Sequence, residues 1–197
     1  MNDVQVHELL YQALETELGG VEVYAAAIKC AQDDEFREEL QKYHDQTTHH
    51  VELVQRVLVA FGLDLEAETP GRRIVRHNGE ALVRAMELAL ADGQPTSAEL
   101  VAAECVTLAE TKDHLNWELL AEVVGKLKGE PAKVLADAIE EVEEQEDEHL
   151  YHSTGWGREL WIQSLGMKAV LPPPEEQKNV KTEIGAARAK QAREDLL

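Results

Sequence analysis

The residues that invite a chemical reading are acids and histidines that stand where an apolar stripe should continue. Along 10, 14, 17, 21, 24, 28 and 31 every position is apolar except Glu17. Along 100, 103, 107, 110, 114, 117, 121 and 124 the polar intruders are Glu110 and His114, with the milder Thr107. The series 135, 139, 142, 146, 149, 153, 156 and 160 holds Glu146 and His149, and the series from 36 to 61 holds Thr47 and His50. A lone ionised carboxylate in a dry core is costly unless it is paired or bound to a metal. Hard carboxylates with borderline imidazoles suit Fe, Mn or Zn. A divalent ion would offset repulsion among the acids and keep the histidines neutral.

Such residues meet only if long elements bring them together. Apolar residues from Val4 to Ala31 recur every three or four positions and predict a long amphipathic helix. Asp33 or Asp34 caps a second helix, which Gly62 ends. LDLEAETPGRR reads as loop, and HNGEALVRAMELALAD as a short helix of about three to four turns. Thr96 or Ser97 caps the third long helix, which stops near Lys128 and Gly129. Pro131 fits the first turn of a fourth, running past Leu160.

Short first and last connections force antiparallel hairpins, whereas the middle one can run the length of the molecule. The expected fold is all-α: a four-helix bundle with one long crossover connection containing a short helix. Residues 1–166 form that domain, and 167–197 a polar C-terminal tail able to form a short helix. In a tight hairpin, residues equidistant from the turn face each other. Glu17 then comes level with His49 or His50, and Glu110 with Glu146 and His149. The expected metal ligands are therefore Glu17, His49 or His50, Glu110, His114, Glu146 and His149.

The two halves also echo each other. Glu17 precedes Tyr24 by the same interval as Glu110 precedes Trp117, and Thr47-x-x-His50 stands where the other half has Glu146-x-x-His149. On these residues the chain resembles the ferritin-like di-iron carboxylate superfamily, which includes bacterioferritin and rubrerythrin, over about residues 5–165. The resemblance implies that Glu17 and Glu110 are the single glutamates and that Glu146 with His149 is one E-x-x-H pair. It departs in the second helix, where Gln46 precedes His49 and Thr47 precedes His50. His114, Glu52 or His152 could supply the missing ligand. The resemblance further implies a pair of iron ions per chain (manganese or zinc being alternatives), ferroxidase or oxidoreductase chemistry on O₂, peroxide or Fe²⁺, and an external electron donor. The alternative is a non-enzymatic ferritin-like scaffold whose polar residues form a hydrogen-bonded layer.

Composition narrows the partners. With 39 acids against 19 bases the net charge is −20, which disfavours nucleic acid and anionic membranes. No run of 18 apolar residues occurs, and Cys30 and Cys105 read as small buried hydrophobes, so a cytoplasmic protein with reduced thiols is expected. A homo-oligomer, a dimer first, suits a bundle. Glu15 and Glu22 fall outside the apolar series and are expected in solvent, as are most acids from Glu140 to Glu148 apart from Glu146. Trp156 and Trp161 are expected in the core.

Overall fold

The computed structural model describes residues 2–197, and among these the regular structure is entirely helical. Five long helices come first: α1 (Asp3–Cys30), α2 (Asp34–Ala60), α3 (Pro70–Ala91), α4 (Pro95–Val124) and α5 (Glu130–Ser164). The C-terminal segment adds α6 (Pro174–Gln177), α7 (Glu183–Gln191) and a 3₁₀ turn, Ala192–Leu196. Asn2 caps α1, and the Asp33 carboxylate accepts from the Glu35 and Phe36 amides to start α2. Gly62, at φ +70°, closes α2 in a conformation that glycine adopts without strain. No described helix is long and apolar enough to cross a membrane.

Helix α1 packs against α2, α3 and α4, and α5 packs against α4 and α2. Two apolar clusters fill the interior. One joins Val23 and Tyr24 with Phe36–Tyr43, Ala98–Val106 and Trp156–Leu160. The other joins Leu10 and Leu14 with Leu53–Leu58, Trp117–Leu120 and Leu135–Val142. On each of α1, α2, α4 and α5 the gap between the clusters is where Glu17, His50, Glu110, Glu146 and His149 lie. The interior is thus two dry layers separated by one polar layer.

Four local expectations are corrected. The connecting helix is α3, 22 residues long, and it begins at Pro70 within the stretch read as loop. Thr69 caps it by accepting from the Arg72 amide, and Pro70 stands in the first turn, where a missing N–H costs nothing. Helix α4 starts at Pro95, so Thr96 and Ser97 lie inside it, and it stops at Val124 with Gly125 as its C-cap. Glu15 is buried, because α3 covers that face of α1. Trp161, in contrast to Trp156, is 41% exposed.

Burial of Glu15 depends on two arginines. Arg72 Nε donates to Oε2 and Arg76 Nε to Oε1, each at 2.6 Å. Burial alone would raise the Glu15 carboxyl, but the hydrogen bonds from Arg76 and Arg72 hold it below the ordinary carboxylate range. A pKa depressed by folding contributes stability above the unfolded value of about 4.3, and that stability is lost as pH falls through the folded value. Arg72→Met is expected to cost about 2–3 kcal/mol at pH 7, with Arg76 still paired. The cost should shrink below about pH 4, which urea unfolding at several pH values will measure.

The segment 167–197 folds back along α5. Arg158 grips Glu175 through two hydrogen bonds of 2.6 and 2.8 Å. Glu159 accepts from Arg193 Nε at 2.8 Å and from the Val170 amide at 2.8 Å.

Candidate metal centre

Five side chains from four helices converge in the polar layer. His50 Nδ1 lies 3.0 Å from Glu146 Oε1 and 3.6 Å from Glu17 Oε2. His149 Nδ1 lies 3.6 Å from Glu146 Oε1 and 3.6 Å from Glu110 Oε2. Glu17, His50 and Glu146 form one group that could hold a metal, and Glu110, Glu146 and His149 another, with donor atoms within 4.8 Å of one another in each. Glu146 belongs to both.

These atoms lie close together without hydrogen-bonding one another. Glu17 Oε2, His50 Nδ1, Glu110 Oε2, both Glu146 oxygens and His149 Nδ1 are buried and make no hydrogen bond. Buried polar atoms are almost always satisfied, so six orphans in one place need an explanation. Two donors bound to one ion at about 2.1 Å stand roughly 3.0–3.4 Å apart in octahedral or tetrahedral coordination. One observed separation, 3.0 Å, falls in that range and the other three, each 3.6 Å, lie just above it.

In Glu17, Glu110, His50 and His149 the other polar atom is held, in a crossed pattern. Trp117 Nε1 donates to Glu17 Oε1 at 2.8 Å, and the Tyr24 hydroxyl donates to Glu110 Oε1 at 2.6 Å. Each residue seven places beyond one glutamate therefore serves the other glutamate. His50 Nε2 donates to Gln145 Oε1 at 3.0 Å, and His149 Nε2 to Gln46 Oε1 at 2.9 Å. Here the glutamine that opens one motif orients the histidine of the other. Fixing Nε2–H leaves Nδ1 as the nitrogen that could ligate a metal, which is how metal-binding imidazoles are commonly held.

Electrostatics reflect the crowding. Burial, with Glu17 and Glu110 adding to it, lifts Glu146 to about 7. Burial does the same for Glu110, with Glu17 adding, despite the Tyr24 hydrogen bond. Burial works against a charged His50, yet the Glu146 and Glu17 carboxylates raise it to about 11. His149 is lowered to about 4 by burial. A proton on His50 therefore partly neutralises the acids, and an ion entering the site must displace it.

No family model, curated protein or solved structure matches the chain. The site is read from its own geometry. Of the residues singled out in the sequence, Glu17, His50, Glu110, Glu146 and His149 are brought together. His49 is not among them: it is 44% exposed and pairs with Glu141 at 2.7 Å. His114 turns outward to Asp147 at 2.7 Å.

Sequence reasoning missed the two glutamines and Asp113. The repeat Gln46-Thr47-x-x-His50 and Gln145-Glu146-x-x-His149 carried the glutamine signal. Asp113 is buried, with Oδ1 unpartnered and its carboxyl raised well above the usual range by burial and by Glu17. Glu148 was expected in solvent with its acidic neighbours, but it is buried in a second group, Glu39, Glu148 and His152. In that group Lys42 bonds Glu148, Tyr43 donates to Glu39, and His152 bridges Glu39 and the Val180 carbonyl. None of its ligand atoms is orphaned, because an ammonium already supplies the cation.

Proposed function

We propose that the chain is a ferritin-like metal protein in which α1, α2, α4 and α5 form a four-helix bundle around a pair of divalent ions, iron before manganese or zinc. The supporting observation is the set of six unpartnered donor atoms gathered around Glu146. In this reading Glu17 and His50 would hold one ion and Glu110 and His149 the other, with Glu146 available to both. When bound, a pair of iron or manganese ions would supply electrons to O₂ or peroxide, or accept them from Fe²⁺, the work of a di-iron oxidoreductase or ferroxidase, whereas zinc has no redox change to offer. In this reading an external donor supplies the electrons; Cys30 and Cys105 are isolated and buried and offer no paired-thiolate relay.

The surrounding residues orient, shield and exchange protons. Trp117 and Tyr24 each pin one glutamate oxygen, so the free oxygen is aimed before a ligand arrives. Burial and the Glu110 carboxylate hold the Tyr24 phenol well above its ordinary value, so it stays a donor. The Tyr43 ring lies against His149 at 4.1 Å and Tyr24 meets its edge at 6.1 Å, excluding water from that side. His50 gives up its Nδ1 proton on ligation, as do Glu110 and Glu146 when they start protonated below about pH 7.

The test is anaerobic loading with Fe²⁺, removal of excess, and metal analysis. About two Fe per chain is the expected result, and none bound, reduced or oxidised, would leave the scaffold reading in its place.

Thr47 occupies the place of the absent second bridging carboxylate, and it is buried. Thr47→Glu is expected to raise Fe²⁺ affinity by about tenfold or more while lowering the melting temperature of the metal-free protein. Opposite signs in the two states, read by titration and melting, separate a ligand from a packing defect.

A further inference from the structure

A cavity between α4, α5 and the start of α7 reaches Glu146 from outside. His114, Glu118, Glu143, Asp147 and Glu183 line its wall. Glu146, buried with both oxygens unpartnered, is among the residues that line it, so the cavity adjoins an unsatisfied group and is more than an acidic surface. No lysine or arginine lines it. The cavities on the α1–α3 and α2–α5 faces include none of the five converging residues.

We propose that this cavity is the loading entrance of the centre, through which divalent cations pass Glu118, Glu143, Asp147 and Glu183 to reach Glu146. The inference rests on the proposed function. Like charges lining a cleft with low-dielectric walls focus the field and raise the local concentration of the opposite ion. Glu183 stands in the first turn of α7, so the C-terminal segment contributes to the entrance as well as covering α5. Glu118, Glu143 and Glu183 are exposed and Asp147 is partly buried beside His114, which grades the path from solvent inward.

The experiment follows Co²⁺ uptake by the metal-free full chain using stopped-flow visible absorbance. Ala121→Trp places a plug at an exposed position of the wall and should slow association and dissociation by about tenfold each, leaving affinity within about twofold. The triple variant E118Q/E143Q/E183Q should slow association by roughly three- to tenfold at low salt, a difference that fades near 0.5 M salt. Ala81→Trp, in the separate cavity between α1, α3 and α4, should load at the parent's rate. Parental rates in both the plugged and the neutralised protein overturn the entrance while leaving the centre intact. A parent that takes up no Co²⁺ overturns the entrance and the proposed function together.

Discussion

Glu146→Gln is expected to weaken binding of both ions by more than about 100-fold, the largest single-residue effect in the molecule. The substitution removes one negative charge and the only carboxylate shared by the two donor groups of the polar layer. Glutamine keeps the shape, so loss of binding would report the charge and the second donor oxygen. Stability of the metal-free protein should not fall with it. The Glu146 carboxyl is raised to about 7, chiefly by burial, so ionising it above the unfolded value of about 4.3 destabilises the fold as pH rises. The metal-free variant is therefore expected to melt no lower than the parent at pH 7.5. His49→Ala is the control, because that side chain points away, and its affinity should stay within about twofold. Equal binding by parent and Glu146→Gln would remove Glu146 from the centre.

Metal should also stabilise the fold by a large margin. An ion present at about 100 times its Kd contributes about 2.7 kcal/mol, and two such ions about 5 kcal/mol. For a domain of this size each kcal/mol moves the melting temperature by about 2–4 °C, giving a rise of roughly 10–20 °C. Mg²⁺ at the same concentration should do little, since it disfavours imidazole ligands and sheds water reluctantly. Chelation should reverse the rise. A shift under about 2 °C with Fe²⁺ or Mn²⁺ would mean that the polar layer is satisfied by protons alone.

Much of this was legible because helical periodicity exposes its own exceptions. Glu17, Glu110, Glu146 and His149 interrupt apolar series, and hairpin symmetry placed them at one height. Core register favours His50, which lies on the apolar series of the second helix, whereas the hairpin fixes height alone and leaves His49 open; in the structure His49 is exposed and pairs with Glu141. Glu15 was misread because the α1 stripe describes contacts with α2 and α4, whereas α3 buries a second face through Arg72 and Arg76. The start of α3 was hidden in Thr69-Pro70, a cap followed by a first-turn proline that also reads as a turn. The crossed hydrogen bonds of Gln46, Gln145, Tyr24 and Trp117 join residues about a hundred positions apart, a relation that local pattern does not encode.

The shared role of Glu146 is tested most directly by diffraction from crystals soaked anaerobically in Fe²⁺, with data collected on both sides of the iron absorption edge. Two anomalous peaks are expected in the polar layer. One should be bonded to Glu17 and His50 Nδ1 and the other to Glu110 and His149 Nδ1, each with one oxygen of Glu146 at about 2.0–2.2 Å. Peaks confined to the surface acids, or to the Glu39–Glu148–His152 group, with Glu146 untouched, would contradict it.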